Sequence, residues 1–540
     1  MHSCLLIAEI FSRIAFFSTN DGPYEGRLGK DEVYNLALTC KAFSEPALDA
    51  IWRDIYGLMD LVNLLPADLW RGSDAPEDPE STCCMTRDTV RSDWTRFLAH
   101  ARRVRELVFV SLDDDSLSPP PWNTSIFDSD TVLRHLAEQC PQTHMLPNLL
   151  ELVWSSEVEN IQLFICPTMR SLSLNSSTAY PGAIQLLETQ SSIITSLELN
   201  HRWGAEHLVT DEVVNTVSLA ICRMDRLVTF RCGFTIQSGA LAHLSTLPTL
   251  KTIGISLDSV DDPTFFSATS SAFFPSVIDL HVDPSRSTLL LSLFNAISST
   301  SLGSIWWYLG DSDPNNVLGA LSVLANHRSR DVLYSIGIST PWDLLLGGLP
   351  TDLIHMQTLK PLLTLTNLTE LRLLVPWVDL GNDDLEQIAL HLPRLLNLDL
   401  GSRGLLIPPR ITLRGLVPLF EHCSLVLLGI VINVGDDVPE SEFTLPPILS
   451  SRVTRCAQHL GFLDFGNSRI GPTKVEPAAT FLSKLVPKLT TLSGWEDMPD
   501  DYVDPVPPPS SSEMLWKQVA NMYGQLTVDE RHPGAWHSWQ

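Results

Sequence analysis

A short leucine-bearing segment recurs along most of the chain and constrains its fold more than any other feature. Its form is P-x-L-x-x-L-x-L or a shortened version, as in residues 167–174, 248–255 and 393–400. Helix-like stretches alternate with these segments, and the period is roughly 20 to 35 residues, overlapping that of leucine-rich repeats. In such a repeat the leucines of a short parallel strand point inwards and a helix covers them, so each unit buries its apolar face against its neighbours.

This recurrence predicts an α/β chain with a leucine-rich-repeat solenoid over residues 130–496, its short parallel strands inside and its helices outside. A compact α/β fold, in which strands and helices also alternate, is the alternative. The proline that starts many of the strands favours the repeat, because a doubly wound sheet does not require it. The pattern is weak between Ser301 and Pro361, where only Val332 to Ile338 is predicted as a strand.

The two ends of the chain follow other patterns. Near the N-terminus, apolar residues at helical spacing predict three short helices, and the glycines and proline of Asn20 to Lys30 separate the first from the second. The predicted organisation is a three-helix module (1–70), a linker and lead-in (71–129), the repeats (130–496) and a proline-broken tail (497–540). In the tail, Met514 to Leu526 is a candidate helix, and three tryptophans could dock it: Trp516, Trp536 and Trp539.

Composition narrows the classes of function. The chain has 540 residues, of which 44% are hydrophobic and 18% charged, and a formal net charge of −27. The apolar content excludes disorder as the main state, and the negative charge disfavours nucleic acid as a partner. No apolar run reaches the roughly 20 residues that cross a membrane, and Glu9 and Arg13 interrupt any N-terminal leader. The expected location is the cytoplasm or nucleus, in agreement with ten scattered cysteines.

No catalytic motif is complete. Gly22, Gly26 and Gly29 loosely resemble a phosphate loop, but Tyr24 stands where its first glycine belongs and Asp31 where a serine or threonine would reach Mg²⁺. Neither H-E-x-x-H nor G-x-S-x-G occurs in the chain. We therefore predict no catalytic residue, no cofactor and no metal. A hydrolase whose Ser, His and Asp meet only in the folded chain stays as an alternative.

Two N-terminal segments carry a second pattern. Residues 5–14 read LLIAEIFSRI and residues 36–53 read LALTCKAFSEPALDAIWR. They resemble the F-box family, in which L-P-x-E-[IL]-[IL]-x-E-I-F is followed by L-x-x-x-C-[KR]-x-[FW] and then by [IL]-W. With the repeats, the chain is similar to F-box and leucine-rich-repeat proteins of the mushroom-forming-fungus type. The matching positions are Leu6, Ile7, Glu9, Ile10, Phe11, Leu36, Cys40, Lys41, Phe43, Ile51 and Trp52.

An F-box implies docking to a Skp-family adaptor and, through it, to a cullin-RING ubiquitin ligase. The chain would then be a non-enzymatic subunit that recruits the substrate of the ligase. A module this small cannot bury all of its apolar residues, so part of its apolar face should remain for a partner. The residues expected to bind the adaptor are Leu5, Leu6, Ile7, Glu9, Ile10, Ile14, Leu36, Cys40, Lys41, Phe43 and Trp52.

The repeats would hold a protein target. On each strand, the residues that alternate with the leucines are expected on the concave side. These residues are mixed polar and somewhat acidic, which fits a basic or hydroxyl-rich protein segment better than nucleic acid or a membrane. The residues expected to bind the target are Glu151, Ser173, Glu198, Glu370, Arg372, Asn397 and Asp399.

Two departures from the F-box pattern keep an alternative open. With Glu9-Ile10-Phe11 aligned to the family's E-I-F, residues His2, Ser3 and Leu5 stand where Leu, Pro and Glu open the first helix. The loop from Asn20 to Lys30 is also longer than usual. The alternative is a leucine-rich-repeat scaffold whose degenerate F-box does not join a ligase, and which binds its partners through the repeats alone.

Overall fold

The computed structural model describes most of the chain, which divides into two compact units, Met1–Leu244 and Ser245–Gln540. The described residues are 10–14, 26–71, 84–110, 130–155, 160–175, 183, 193–200, 209–257, 260, 265–268, 273–285, 287–309, 314–340, 353–375, 377–401, 409–445, 451–494 and 511–527.

The first unit contains a parallel sheet in which each strand pairs with the strand before it. The exception is the pair β2 and β3, which are antiparallel and separate from that sheet. Strand β1 pairs directly with β4, and pairing then continues in chain order to β8. The strands are β1 (Asp54–Tyr56), β2 (Trp70–Arg71), β3 (Cys84–Met85), β4 (Glu106–Val110), β5 (Glu151–Ser155), β6 (Ser171–Leu174), β7 (Ser196–Leu199) and β8 (Thr229–Thr235).

Helices precede and connect these strands. Residues 10–14 are helical, and short 3₁₀ turns lie at Ala67–Leu69 and Asn160–Leu163. The helix Asp211–Ile221 begins where sequence rules place a start: the Thr210 hydroxyl accepts a hydrogen bond from the Val213 N–H, and two acidic residues follow. The helices are Gly26–Thr39, Lys41–Ile51, Met59–Val62, Trp94–Ala101, Asp130–Gln139, Asp211–Ile221 and Ser238–Thr246, the last of which crosses the boundary between the units.

The second unit repeats the same parallel pairing, again in chain order from β9 to β17. A doubly wound sheet would reverse its strand order at a switch point. The sequential order within each unit therefore supports a repeat rather than that alternative. The strands are β9 (Thr252–Ser256), β10 (Asp279–Ser285), β11 (Ser304–Leu309), β12 (Ser335–Ser339), β13 (Glu370–Leu374), β14 (Asn397–Leu400), β15 (Leu427–Ile430), β16 (Phe462–Asp464) and β17 (Thr491–Ser493).

A helix or a 3₁₀ turn, or both, lies between most successive strands of this unit. The 3₁₀ turns are Lys360–Thr364, Leu413–Leu416, Glu440–Phe443 and Pro472–Lys474. The helices are Phe265–Ala268, Ser287–Ala296, Pro314–Asn326, Met356–Leu359, Asn382–His391, Val417–His422, Ser451–Ala457, Val475–Leu485 and Ser511–Thr527.

Two features recur at the backbone and side-chain level. The carbonyl of the residue before a strand accepts two consecutive N–H groups of the next strand: Arg105 O accepts those of Leu150 and Glu151, at 2.7 and 3.0 Å. Tyr334 O accepts those of Thr369 and Glu370 in the second unit, at 2.8 and 2.9 Å. The second feature is a buried residue in register at the second position of each strand, such as Leu152, Leu172 and Leu197 in the first unit. Each repeat thus buries its leucines against its neighbours, as the period implies.

The last described helix, Ser511–Thr527, covers the final strand of the second unit. Trp516 and Tyr523 are buried, and the Trp516 indole stacks on Phe465 with ring centres 4.7 Å apart. The indole N–H donates to the Ser468 carbonyl at 2.7 Å. The Tyr523 hydroxyl donates to the Val486 carbonyl at 2.5 Å and accepts the Leu489 N–H at 3.1 Å. The candidate helix of the tail is therefore present and docked, whereas Trp536 and Trp539 lie outside the described residues.

The prediction of an α/β chain of short parallel strands joined by helices is confirmed. Six strands had no predicted counterpart: β1, β2, β3, β4, β11 and β16. The sheet begins at Asp54, ahead of the predicted repeat start at residue 130. A helix begins at Gly26, so the predicted loop from Asn20 to Lys30 is wrong in its second half. Residues 72–83 and 111–129 of the predicted linker lie outside the described residues.

Candidate functional site

The N-terminal helical module has a small core of its own. Phe11 and Phe43 stack with ring centres 4.2 Å apart and nearly parallel planes. Val33 and Ala37 come from the helix Gly26–Thr39 and pack into the same cluster. They stand four residues apart, so one helix face supplies both. The core is completed by residues of the helix Lys41–Ile51, again at helical spacing: Phe43, Ala47 and Ala50.

The module also carries large apolar side chains outside this core. Ile10 and Ile14 are 39% and 41% exposed, and they stand one turn apart on the first helical segment. Tyr34 and Leu38 are 54% and 68% exposed and stand one turn apart on the helix Gly26–Thr39. Single exposed apolar residues are common, whereas each of these pairs places two apolar side chains one turn apart on an exposed helix face. We call these four residues the module surface.

The residues predicted to bind the adaptor fall into several environments. Ile10 and Ile14 belong to the module surface, and Lys41 is exposed. Phe43 is buried in the module core, so its first role is packing. Three others are half-buried: Leu36 and Cys40 against the same core, and Trp52 against the His100 ring at 4.5 Å. Four more lie outside the described residues: Leu5, Leu6, Ile7 and Glu9.

Arg103 ties this module to the sheet of the first unit. Its side chain is only 8% exposed, and its guanidinium forms ion pairs with Glu45 at 2.6 Å and with Asp49. Both carboxylates belong to the helix Lys41–Ile51, whereas Arg103 lies three residues before β4. The hydrogen bond from Arg103, followed by its positive charge, holds the pKa of Glu45 below its usual value. The module is therefore fixed to the sheet rather than tethered to it.

Acidic side chains line the start of the first sheet. Asp54, Glu106 and Glu151 are paired in register on β1, β4 and β5. Burial raises the pKa of Asp54, against the charges of Arg53 and Lys30. Burial also raises the pKa of Glu106, and the charges of Asp54 and Glu151 add to that effect. This row is consequently a site of like-charge repulsion.

The other predicted target residues of the first unit lie at solvent-side positions of neighbouring strands. Ser173 on β6 pairs with Glu198 on β7, and Glu198 pairs with Arg231 on β8. Glu151 on β5 is in register with Ser171 and not with Ser173, so it lies two positions away from the row that contains Ser173 and Glu198. Ser173 and Glu198 are therefore neighbours, whereas Glu151 joins the acidic row instead.

In the second unit the predicted target residues come together. Glu370 pairs with Asn397 and Arg372 pairs with Asp399, across β13 and β14. Arg372 forms an ion pair with Glu370 at 2.7 Å, and its guanidinium carbon lies 5.8 Å from the centre of the Trp306 ring. That distance is within the range of a cation–π contact. The four residues form one continuous polar surface on the solvent side of the sheet.

Trp306 and its neighbours were missed by the sequence reasoning. The Trp306 ring occupies the space above Gly337 on the next strand, where an added Cβ would come within 2.1 Å of the ring. Burial, followed by the charge of Asp283, raises the pKa of Tyr308, against the lowering effect of a hydrogen bond with Trp306. Trp306 and Tyr308 alternate with buried residues in the stretch S-I-W-W-Y-L. That alternation was the available signal, although Ile305 and Trp307 stand where the other strands have leucines and only Leu309 is a leucine.

One cavity among the described residues has a volume of about 540 Å³, and its lining includes His355, Asp379 and Arg410. Asp379 pairs with Arg410 at 2.6 Å and with His355 at 3.3 Å, so its charge is compensated. No serine, threonine or cysteine is among the described residues that line it. The cavity thus offers an imidazole and carboxylates but, among its described lining residues, no hydroxyl or thiol nucleophile.

Within the described parts of the chain, no group of three or more His, Cys, Asp or Glu side chains could hold a metal ion. No helix in those parts is long and apolar enough to cross a membrane. A scan against protein-family models and a search of curated proteins found no match for this chain.

Proposed function

We propose that this chain recruits substrates to a ubiquitin ligase of the Skp, cullin and F-box type. The N-terminal module binds the Skp-family adaptor, and the leucine-rich repeats bind a protein target. The chain supplies binding surfaces and no catalytic group. The complex works in the cytoplasm or nucleus, where such ligases act according to the F-box resemblance.

The observation that carries this proposal is the module surface. Its members, Ile10, Ile14, Tyr34 and Leu38, are exposed although the same helices have already packed a core around Phe11 and Phe43. Apolar pairs one turn apart on a helix are the anchors by which a partner helix is held in a groove or on a face. Three F-box motif positions, Ile10, Phe11 and Leu36, lie on the same two helical segments as the module surface, which supports the same partner.

The connection between module and sheet suits a recruiting role. Arg103 joins the helix Lys41–Ile51 to the turn before β4, and β1 follows that helix after only two residues. An adaptor on the module would therefore have a fixed orientation relative to the sheet of the first unit. A flexible tether would give the target no defined position relative to the ligase.

The proposal is tested by co-purifying the intact chain with a Skp-family adaptor. Changing Tyr34 and Leu38 to Asp should reduce the recovered adaptor at least about tenfold, because burying one leucine contributes about 1.5–3 kcal/mol. The matched control changes Leu219 and Leu390 to Asp, which adds the same two charges at residues that are 51% and 49% exposed on the helices Asp211–Ile221 and Asn382–His391. The control should recover as much adaptor as the unmodified chain. Failure of the unmodified chain to retain adaptor would contradict the proposal.

A second candidate is the scaffold that does not join a ligase. It is favoured by Phe43 and Trp52, two motif residues that pack inside this chain instead of facing a partner. Deleting the first 70 residues would be a poor test, because β1 at Asp54–Tyr56 would be lost with them. The Tyr34 and Leu38 variant avoids this problem. The scaffold predicts that this variant keeps every partner of the unmodified chain.

A further inference from the structure

Five neighbouring strands of the second unit, β10 to β14, carry an unusual set of solvent-side residues. The middle of this surface is aromatic: Trp306 and Tyr308 stand two residues apart on β11 and are half-buried. Carboxylates flank the aromatic pair on both sides. They are Asp279 and Asp283 on β10, Glu370 on β13 and Asp399 on β14.

The charge of this surface is strongly negative. Its described solvent-side positions hold those four carboxylates, the guanidinium of Arg372 and the imidazole of His281. The guanidinium is paired with Glu370 at 2.7 Å. By formal charge, a partner therefore meets more carboxylates than cations beside aromatic rings. Cationic side chains are attracted by both features, because carboxylates complement their charge and aromatic faces attract cations.

Two glycines shape this surface. The Trp306 ring lies above Gly337, and the Asp399 carboxylate lies above Gly429, where an added Cβ would be 2.8 Å from its carbon. Each of these two side chains thus extends across the sheet over a glycine of a neighbouring strand, a position that has no side chain. This arrangement keeps the ring and the carboxylate low against the sheet, so an extended segment could pass over them.

From this placement we infer that the solvent-side surface of β10 to β14 binds an extended, basic protein segment through Trp306, Tyr308 and the carboxylates around them. The inference rests on the proposed function in one respect, since the segment would belong to the target of the ligase. At about 4.8 Å between strands, the five strands span about 19 Å, the length of about six extended residues. Lysine or arginine side chains of the segment would lie between the aromatic rings and the carboxylates.

The test measures binding of a fluorescein-labelled peptide of alternating lysine and serine, about twelve residues long, by fluorescence anisotropy with the intact chain. The matched probe has glutamate in place of each lysine. The lysine peptide should bind saturably, and its affinity should fall as salt is raised, because the attraction is electrostatic. Equal binding of the two peptides, or binding of neither, would overturn the inference.

Charge reversal locates the site. Asp399→Lys should weaken the lysine peptide at least about tenfold, because close charge pairs at an interface contribute strongly to affinity. The control is Glu386→Lys, which changes the net charge equally at an exposed position on the helix Asn382–His391, in the same repeat. Its effect should be less than about twofold. Equal effects of the two variants would mean attraction to the whole acidic chain, and would also overturn the inference.

A second variant tests the aromatic part without changing charge. Gly337→Ala places a methyl group where the Trp306 ring lies, so the ring must move. We expect about fivefold weaker binding of the lysine peptide, the equivalent of one cation–π contact. Gly239→Ala is the control, since an added Cβ there has no atom within 4 Å. Unchanged binding by both variants would remove Trp306 from the site.

These measurements use no adaptor, so their outcome is separate from that of the ligase proposal. Specific binding of the lysine peptide by a chain that recovers no adaptor would leave this surface in place and remove the ligase. Recovery of the adaptor by a chain that does not distinguish the two peptides would remove the peptide-binding surface and leave the ligase proposal in place.

Discussion

The buried guanidinium of Arg103 is compensated by two carboxylates that are themselves exposed. The side chains of Glu45 and Asp49 are 70% and 63% exposed, against 8% for Arg103. Removing one side of an ion pair costs most when the charge left behind is buried. Removing the two carboxylates and removing Arg103 should therefore lower the free energy of unfolding by different amounts.

Replacing both Glu45 and Asp49 by Ala should destabilise the first unit by about 3 kcal/mol, because the buried charge of Arg103 then has no counter-ion. Arg103→Met keeps the apolar packing and leaves two solvated carboxylates, so we expect a cost of only about 1 kcal/mol. Denaturant unfolding, followed by tryptophan fluorescence, measures both. A larger cost for Arg103→Met than for the double variant would contradict this account of the contact.

The acidic row of the first sheet makes stability depend on pH. Because the pKa of Glu106 is raised, the folded chain holds a proton on the Glu106 carboxyl group more tightly than the unfolded chain does. Stability therefore falls as pH rises from the ordinary pKa of glutamate, about 4.3, through the higher value of the folded state. Burial of the carboxylate and repulsion by the neighbouring acidic residues both contribute to this loss of stability.

Glu106→Gln should consequently stabilise the chain at pH 7 by about 0.5 kcal/mol, since it removes like charges opposite each other on adjacent strands. Below about pH 4 the gain should vanish, because the native glutamate is then protonated in both states. Thermal unfolding at the two pH values measures the difference, with the exposed Glu386→Gln as a control. A gain of the same size at both pH values would show that repulsion is not its cause.

At the scale of elements, the helix Ser511–Thr527 covers the strand edge at the end of the second unit. An uncovered edge strand presents unpaired backbone groups to other chains, and repeat arrays close their ends with a capping element. This helix supplies such a cap through Trp516 and Tyr523, whose polar atoms bond to backbone groups of the last repeats. Burial and hydrogen bonding together hold the helix in place.

Tyr523→Phe tests the polar part of this cap. It leaves the Leu489 N–H and the Val486 carbonyl buried without the hydroxyl that they share, which should cost about 1–3 kcal/mol. Tyr34→Phe, at a side chain that is 54% exposed, should cost less than about 0.5 kcal/mol. The denaturant concentration at the midpoint of unfolding, measured for both variants and for the unmodified chain, compares the two costs. Equal midpoints would mean that the Tyr523 hydroxyl does not hold the helix.

Strands were predictable where leucines marked them, and less so elsewhere. Segments such as residues 167–174 and 393–400 contain β6 and β14. Strand β1 has only three residues, too few for a periodic pattern, and it forms because β4 pairs with it. In β11, isoleucine and tryptophan take the first two inward positions and only the last is a leucine, so a search for the L-x-L pattern passes over it. Parallel pairing between distant segments leaves little local signal in the sequence.

For the whole molecule, alternation along a strand predicts which residues face solvent, but register decides which of them meet. Glu370, Arg372, Asn397 and Asp399 were predicted on the solvent side and form one surface. The contact of Arg372 with Trp306 depends on Gly337, which lies between them on β12. In the module, helical periodicity predicted apolar faces but did not separate Phe43, which is buried, from Leu38, which is exposed. That division depends on packing among three helices.

The most direct test of the central claim is a calorimetric titration of the intact chain with a purified Skp-family adaptor. The ligase proposal predicts saturable one-to-one binding with a negative heat-capacity change, the mark of apolar surface such as Tyr34 and Leu38 leaving water. It also predicts that the Tyr34 and Leu38 double Asp variant binds at least about tenfold more weakly. Absence of any saturable binding by the unmodified chain would contradict the proposal and leave the scaffold as the better account.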